Sequence, residues 1–186
     1  MDAGSFGKGE ALDRLLKENT EGDVWMVDLG GQILVHGSLP GKSGWPVAIA
    51  HPWQREDALF SIILKAGSLA TSGGSERDQI VGKRRLGHIV DPRTGKPAPF
   101  NGSVSVWHER ALTADILSTA MYVMGPEKGL HWADERNIAA CYLVPDVKGN
   151  VKINPSRAFR KIAPDYACAN INPNSALQQT VKFVKK

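Results

Sequence analysis

Residues 113–126 read T-A-D-I-L-S-T-A-M-Y-V-M-G-P, and this stretch predicts the best-defined helix of the chain. Its apolar residues recur at helical spacing. Gly125-Pro126 ends the helix because glycine suits a helix C-cap and proline cannot continue a helix. We expect six side chains to form its apolar face: Ile116, Leu117, Ala120, Met121, Val123 and Met124.

Short apolar runs on both sides of this helix predict a chain rich in strands. The runs fall at 24–28, 33–36, 45–50, 59–64, 104–107, 138–144 and 151–154. Residues 79–86 favour a short hairpin, and helices are expected at 11–17 and 127–136. Residues 69–74 read as a polar glycine turn. Because strands and helices follow one another without regular βαβ alternation, we expect an α+β fold.

Length and composition favour one globular domain. The chain has 186 residues, of which 42% are hydrophobic and 23% charged, so it can bury a sizeable core. We place the core at residues 1–154 and expect residues 155–186 to form a basic, peripheral extension. Cys141 lies in an apolar run, which favours core packing. No apolar run is long enough to span a membrane and no basic, apolar leader follows Met1, so the sequence predicts no location.

The net charge of +4 would suit an anionic partner. The basic residues are scattered, however, apart from 83–85 and the last few residues. These clusters lack interleaved aromatic residues on which nucleic-acid bases could stack. A mildly basic surface is therefore the favoured interpretation, and no nucleic-acid partner is expected.

Residues 88–97 read H-I-V-D-P-R-T-G-K-P and concentrate reactive groups in one turn-rich segment. Its prolines and glycine restrict or permit unusual backbone angles, which would hold the polar groups in place. His88 could act as a general base, or it could be a hydrogen-bonded polar group at a strand end. Asp91 and Arg93 could equally form an ion pair that holds the turn.

Asp115 and Thr119 are four residues apart, so both oxygens project from one face of the predicted helix. Oxygen ligands of this kind suit Mg²⁺, which takes one or two carboxylates and fills its remaining positions with phosphates and water. The alternative is structural. Asp115 would stabilise the helix through its dipole, and Thr119 would bond back to the preceding turn.

Residues 2–9 read D-A-G-S-F-G-K-G and precede the helix at 11–17. A glycine-rich loop that opens a helix can direct backbone N–H groups at a phosphate. Asp2, Ser5 and Lys8 follow at three-residue intervals. Lys8 could neutralise a diphosphate and Asp2 could hold a ribose or a base edge, although Asp2 could equally be disordered beside the amino terminus.

Together, these three segments resemble the ApbE family, the FAD:protein FMN transferases. Residues 88–97 are similar to the family's H-x-x-D-P-x-T-G-x-P segment, and residues 114–120 to its A-D-x-x-x-T-A helix. Residues 2–13 are similar to its D-x-G-x-x-x-K-G…D loop. Weaker similarities lie at 29–31 and 70–73, and the matching pieces run from residue 2 to about 144.

The resemblance implies an α+β fold with a mixed, mostly antiparallel sheet and packed helices. It also implies an enzyme that uses Mg²⁺ to transfer FMN from FAD to a threonine or serine hydroxyl of a target flavoprotein, with release of AMP. The metal ligands would be Asp115, Thr119 and a backbone oxygen at Ser5.

By the same resemblance, Asp2, Lys8 and His88 would contact FAD, and His88 would also be the catalytic base. Lys8 and Arg93 would add positive charge near the leaving group.

The resemblance extends to partners and to location. The acceptor would be a subunit of a redox membrane complex or a flavin-carrier domain, and family members are commonly periplasmic or anchored to the inner membrane. Family members carry a substantial segment before the D-x-G loop that supplies part of the flavin pocket, so we expect an N-terminally truncated form. The alternative is a catalytically inactive remnant that binds FAD or metal.

Overall fold

An antiparallel sheet forms the centre of the structure, a computed structural model that describes residues 3–18, 24–54, 56–74, 79–81, 84–148, 150–164 and 166. Within these residues the sheet has six strands, numbered along the chain. In order across the sheet they are β1 (Trp25–Leu29), β2 (Gln32–His36), β5 (Gly67–Gly73), β10 (Ser103–His108), β11 (Ala139–Pro145) and β12 (Val151–Pro155). Every pairing among them is antiparallel.

Three two-stranded pairs accompany the sheet in the described part of the chain, and each is antiparallel. They are β3 (Trp45–Ala50) with β4 (Ala58–Leu64), β6 (Gln79–Val81) with β7 (Arg84–Leu86), and β8 (Val90–Asp91) with β9 (Lys96–Pro97). The helices are α1 (Gly7–Glu18), α2 (Ala111–Met124), α3 (Pro126–Glu135) and α4 (Arg157–Ile162), and a 3-10 turn spans Ala3–Ser5. The expected α+β class and the mostly antiparallel sheet are confirmed.

Apolar side chains point alternately to the two sides of the sheet, so both of its faces are buried. In β11, Cys141 and Leu143 pack with the β3–β4 pair, whereas Ala140 and Tyr142 pack with α2 and α3. Helix α1 covers β1 and β2 on the α2 side, where Leu12 packs against Leu34. Successive side chains of a strand point to opposite faces, so one apolar run supplies both layers of the core.

Burial fits the role expected for Cys141. Its side chain is fully buried, and burial raises the pKa of its thiol to about 12. The thiol therefore stays protonated at neutral pH and behaves as a small apolar group. Within the described residues, no helix has both the length and the apolar character that crossing a membrane requires.

Strand β5 corrects one expectation. Residues 69–74 were predicted to form a turn, but residues 67–73 form a central strand between β2 and β10. The prediction was wrong because Ser and Gly, which are frequent in this stretch, are typical of turns. Here Ser68 and Ala70 are buried and helix α2 lies against the strand, so small residues allow close helix packing.

The buried face of α2 also differs from the prediction. Ile116, expected in the apolar face, is 44% exposed. The buried residues follow the 3.6-residue period of the helix and are mostly small or polar: Ala111, Ala114, Asp115, Ser118, Met121 and Tyr122. The helix ends at Met124 with Gly125 as its C-cap, as predicted.

Helix α4 lies in the segment that was expected to be peripheral. Ser156 caps it by accepting a hydrogen bond from the backbone N–H of Phe159. Phe159 is 0% exposed and packs in the same core cluster as Cys141 and the β3–β4 pair. Ala158, Phe159 and Ala163 are thus part of the core, because a short capped helix can bury one aromatic side chain without a long apolar pattern. The proposed boundary at residue 154 stays a prediction.

Candidate functional site

Helices α1 and α2 approach each other very closely at Gly9. A Cβ atom added to Gly9 would lie 2.5 Å from the carbonyl oxygen of Ala111 and 2.6 Å from the Cα of Leu112. Only a residue without a Cβ permits this approach. The glycine of the loop therefore sets the distance between two helices that are about 100 residues apart in the sequence.

The Asp115 carboxylate lies at this contact and is 3% exposed. Its Oδ2 accepts a hydrogen bond from the backbone N–H of Gly9 at 2.9 Å, and its Oδ1 accepts one from the Lys8 ammonium at 3.2 Å. Gly9 is the third residue of α1, where backbone N–H groups lack acceptors within their own helix. Asp115 thus caps α1 rather than its own helix, and its negative charge faces the positive end of the α1 dipole.

The first residue of α2 is capped in turn by Asp13 of α1. The Asp13 Oδ1 accepts a hydrogen bond from the backbone N–H of Ala111 at 2.6 Å, and Oδ2 lies 3.5 Å from Nε of Arg110. Arg110, the N-cap residue of α2, does not cap the helix with its own side chain. Each helix therefore supplies the aspartate that caps the other, an arrangement we call the reciprocal cap.

Three hydroxyl groups surround the Asp115 backbone. Ser118 and Thr119 donate hydrogen bonds to its carbonyl oxygen at 2.9 Å and 3.3 Å. Ser72 of β5 is hydrogen-bonded to Ser118 at 2.9 Å and lies 3.4 Å from the Thr119 hydroxyl. These contacts collect several oxygen atoms within one turn of α2.

This donor set suits a hard cation such as Mg²⁺. It combines one buried carboxylate with hydroxyl oxygens, and the Lys8 ammonium already places a positive charge at Oδ1. Among the described residues, no group of three or more His, Cys, Asp or Glu side chains is placed to hold a metal. A nitrogen- or sulfur-rich site for a softer metal is therefore not present in that part of the chain.

The segment 88–97 forms the short β8–β9 hairpin. Its turn is held by Asp91, which accepts hydrogen bonds from Arg93 Nε at 2.9 Å and from a terminal guanidinium nitrogen at 2.8 Å. Its carbonyl oxygen accepts from the backbone N–H of Gly95, which has a positive φ of 67°. These hydrogen bonds with Arg93 lower the Asp91 pKa to about 2. Since its guanidinium binds Asp91, Arg93 holds the turn, which favours the structural alternative for this pair.

The structure brings three of the predicted site residues together. Lys8 and Thr119 both contact Asp115, as described above. Ser5 ends the 3-10 turn that lies against α1 and α2. His88 is exposed in the segment between β7 and β8, and Asp2 lies outside the described residues. The ligand and catalytic roles of all these residues stay predictions.

Sequence reasoning missed Gln32 and Ser72. Gln32 is 1% exposed, and its amide nitrogen donates to the Ala111 carbonyl oxygen at 2.9 Å and to the Ser68 hydroxyl at 3.2 Å. A glutamine beside a glycine turn at the start of an apolar strand was the available signal. The weak family similarity at 70–73 includes Ser72, but the residue was missed because its strand was mistaken for a turn.

A separate cleft of about 420 Å³ lies beside α4. Its lining includes Trp107, Arg136 and Lys161, and it contains none of the predicted site residues.

Comparison with known proteins points to one family. Residues 1–143 match the ApbE family. The chain is 32% identical over 168 residues to the FAD:protein FMN transferase of Haemophilus influenzae, covering 87% of this chain and 48% of that protein.

Solved structures give the same result. The ApbE protein of Thermotoga maritima matches with a TM-score of 0.78 and 33% identity, over 88% of this chain and 53% of that one. The flavinyl transferase ApbE of Pseudomonas stutzeri, in its apo form, matches with a TM-score of 0.72 and 29% identity, over 88% and 51%. The chain thus spans about half the length of the relatives it matches.

Proposed function

Because the chain belongs to the ApbE family, we propose that it acts in the transfer of FMN from FAD to a threonine or serine hydroxyl of a target flavoprotein. The reaction would depend on Mg²⁺ and release AMP. The observation that carries the proposal is the environment of Asp115. Its buried carboxylate accepts hydrogen bonds from the α1 N-terminus and Lys8, and its backbone carbonyl oxygen accepts one from the Thr119 hydroxyl. Carboxylate and hydroxyl oxygens around Asp115 could bind a metal ion, and the Lys8 ammonium could contact the diphosphate that the metal binds.

The proposed metal ligands are Asp115, Thr119 and a backbone oxygen at Ser5. Asp115 Oδ2 is engaged by the buried Gly9 N–H, whereas Oδ1 is paired with the half-exposed Lys8 ammonium, which a cation could displace. Mg²⁺ bound there would neutralise charge on the FAD diphosphate and orient it for in-line attack. Oδ1 is now paired with Lys8, so metal binding requires the ammonium to move.

Lys8 would contact the phosphates of FAD once it leaves Asp115. Its side chain is 38% exposed, and it projects from the first turn of α1, where the helix dipole also favours anions. Positive charge at this point stabilises the negative charge that develops on the leaving phosphate. Asp2 is proposed as a further FAD contact.

His88 is proposed as the base and as an FAD contact. It would accept the proton of the acceptor hydroxyl, whose oxygen bonds to the flavin-side phosphorus. The bond from that phosphorus to the bridging oxygen then breaks, and AMP leaves with that oxygen. Exposure of His88 is compatible with access by a protein acceptor. We propose as acceptor a redox membrane-complex subunit or a flavin-carrier domain.

Incubation with FAD, Mg²⁺ and an acceptor domain that bears a target threonine tests the proposal. We expect the acceptor to gain the mass of FMN less one water and to fluoresce in a denaturing gel, and EDTA should prevent both changes. An acceptor with Thr→Val at the target site is the matched control. If FAD binds and no adduct forms, the transferase proposal fails and the chain is a binding remnant of the family.

A further inference from the structure

We propose that Asp13 is a positioning residue that holds the Asp115 carboxylate where it can bind metal. The inference rests on the proposed function, since it assigns a role toward the same site. Its basis is the reciprocal cap, in which Asp13 receives the Ala111 N–H and Asp115 receives the Gly9 N–H.

Both backbone groups of Ala111 are held by other elements. Asp13 of α1 binds its N–H, and Gln32 of β2 donates to its carbonyl oxygen. Asp13, Gln32 and Ala111 are all buried. The start of α2 is therefore located relative to α1 and to the sheet by hydrogen bonds that solvent does not reach.

The position of Ala111 determines the position of Asp115. The two residues are four apart on one helix, so they lie on the same face about 6 Å from each other. A helix turn is stiff over this distance, so a displacement at Ala111 is transmitted to Asp115. Asp13 never needs to touch metal or FAD to affect the site.

The charge of Asp13 is already matched by Arg110, whose Nε lies 3.5 Å from Oδ2. The essential feature is thus the acceptor oxygen at Oδ1 rather than the negative charge. Asn keeps such an oxygen, and Ala removes it. Comparing the Asn and Ala variants at position 13 therefore distinguishes a positioning role of Asp13 from a purely electrostatic one.

Amide hydrogen exchange on the full chain, followed at Gly9 and Ala111, tests the inference without metal. In Asp13→Ala, we expect exchange at both amides to become about tenfold faster or more, because Asp115 no longer stays on Gly9. Asp13→Asn should stay close to the parent chain. If the Ala111 amide exchanges faster in Asp13→Ala while the Gly9 amide keeps its protection, Asp13 is only a local cap and the inference is overturned.

Titration with Mn²⁺ alone provides the second measurement. We expect Asp13→Ala to bind about tenfold more weakly or worse, the size of effect seen when groups that orient metal ligands are removed, with Asp13→Asn near the parent chain. Glu18→Gln, an exposed change on the same helix, is the control and should not alter affinity. Unchanged Mn²⁺ affinity in Asp13→Ala contradicts the inference.

The two measurements separate failure of the inference from failure of the proposed function. If the parent chain does not bind Mn²⁺, the proposed metal site fails, while exchange at Gly9 still decides whether Asp13 positions Asp115. Should Asp13→Ala unfold, Asp13→Glu replaces it. That variant keeps the charge and moves the carboxylate by one methylene, and the same loss of Gly9 protection is expected.

Discussion

Replacing Gly9 by alanine should weaken both the fold and the proposed metal site. The added Cβ would lie 2.5 Å from the Ala111 carbonyl oxygen, and an ordinary contact needs at least 3.4 Å, so the helices must separate by about 0.9 Å. The obstructing atoms are backbone, which cannot rotate away. Separation by that amount also stretches the 2.9 Å hydrogen bond from Gly9 to Asp115.

The expected magnitude follows from three contributions. Overpacking costs about 1–3 kcal/mol, and a weakened buried hydrogen bond to a charged group costs about 1–3 kcal/mol more. Alanine offsets about 0.5–1 kcal/mol because it favours the helix more than glycine does. We therefore expect Gly9→Ala to lower the free energy of unfolding by about 1–5.5 kcal/mol.

Urea unfolding followed by circular dichroism measures this change. The matched control is Ala11→Gly, an exposed position of the same helix, which should lose about 0.5–1 kcal/mol through helix propensity alone. Mn²⁺ affinity should fall in Gly9→Ala and not in Ala11→Gly. A Gly9→Ala chain as stable as the parent, or more stable, would refute the close helix contact and the reasoning built on it.

Three further predictions concern other parts of the molecule. Asp115→Asn keeps an acceptor for the Gly9 N–H, so we expect a folded chain that loses Mn²⁺ affinity at least about tenfold; undiminished affinity would remove Asp115 from the proposed metal site. Asp91 has a pKa lowered from 3.8 to about 2, so its contribution to the hairpin is complete above about pH 4 and is lost as pH falls through 2. Its carboxyl ¹³C shift should titrate near 2 in the parent chain and at a higher pH in Arg93→Met, which loses the guanidinium and keeps the backbone N–H at position 93, and equal midpoints would contradict the guanidinium as the main cause. Phe159→Ala should cost about 3–5 kcal/mol in urea unfolding because the ring is fully buried, whereas a cost below about 1 kcal/mol would mean that α4 is peripheral after all.

Local signals made much of the fold predictable. Helix α2 was recognised because Gly125-Pro126 marks its end, and most strands because their apolar runs are bounded by turn residues. Strand β5 was missed because its small residues carry no β pattern. Its identity depends on the neighbours β2 and β10 and on the helix that covers it, none of which is local.

The site was predictable only in part, for a similar reason. Helical spacing placed Asp115 and Thr119 on one face, but it could not bring Lys8 to Asp115 across 107 positions of sequence. The structural alternative for Asp115 correctly predicted that this residue stabilises a helix N-terminus, but it named the wrong helix. The carboxylate does stabilise a helix N-terminus, but it is that of α1 and not that of its own helix.

The reciprocal cap also has a consequence for the order of folding. A 12-residue helix such as α1 is marginal when isolated, and the acceptor for its Gly9 N–H lies 106 residues away. Neither cap can form until the chain between the helices has closed a long loop, which is slow relative to local structure. The proposed metal site should therefore assemble late in folding, and during synthesis α1 must wait for α2 to leave the ribosome.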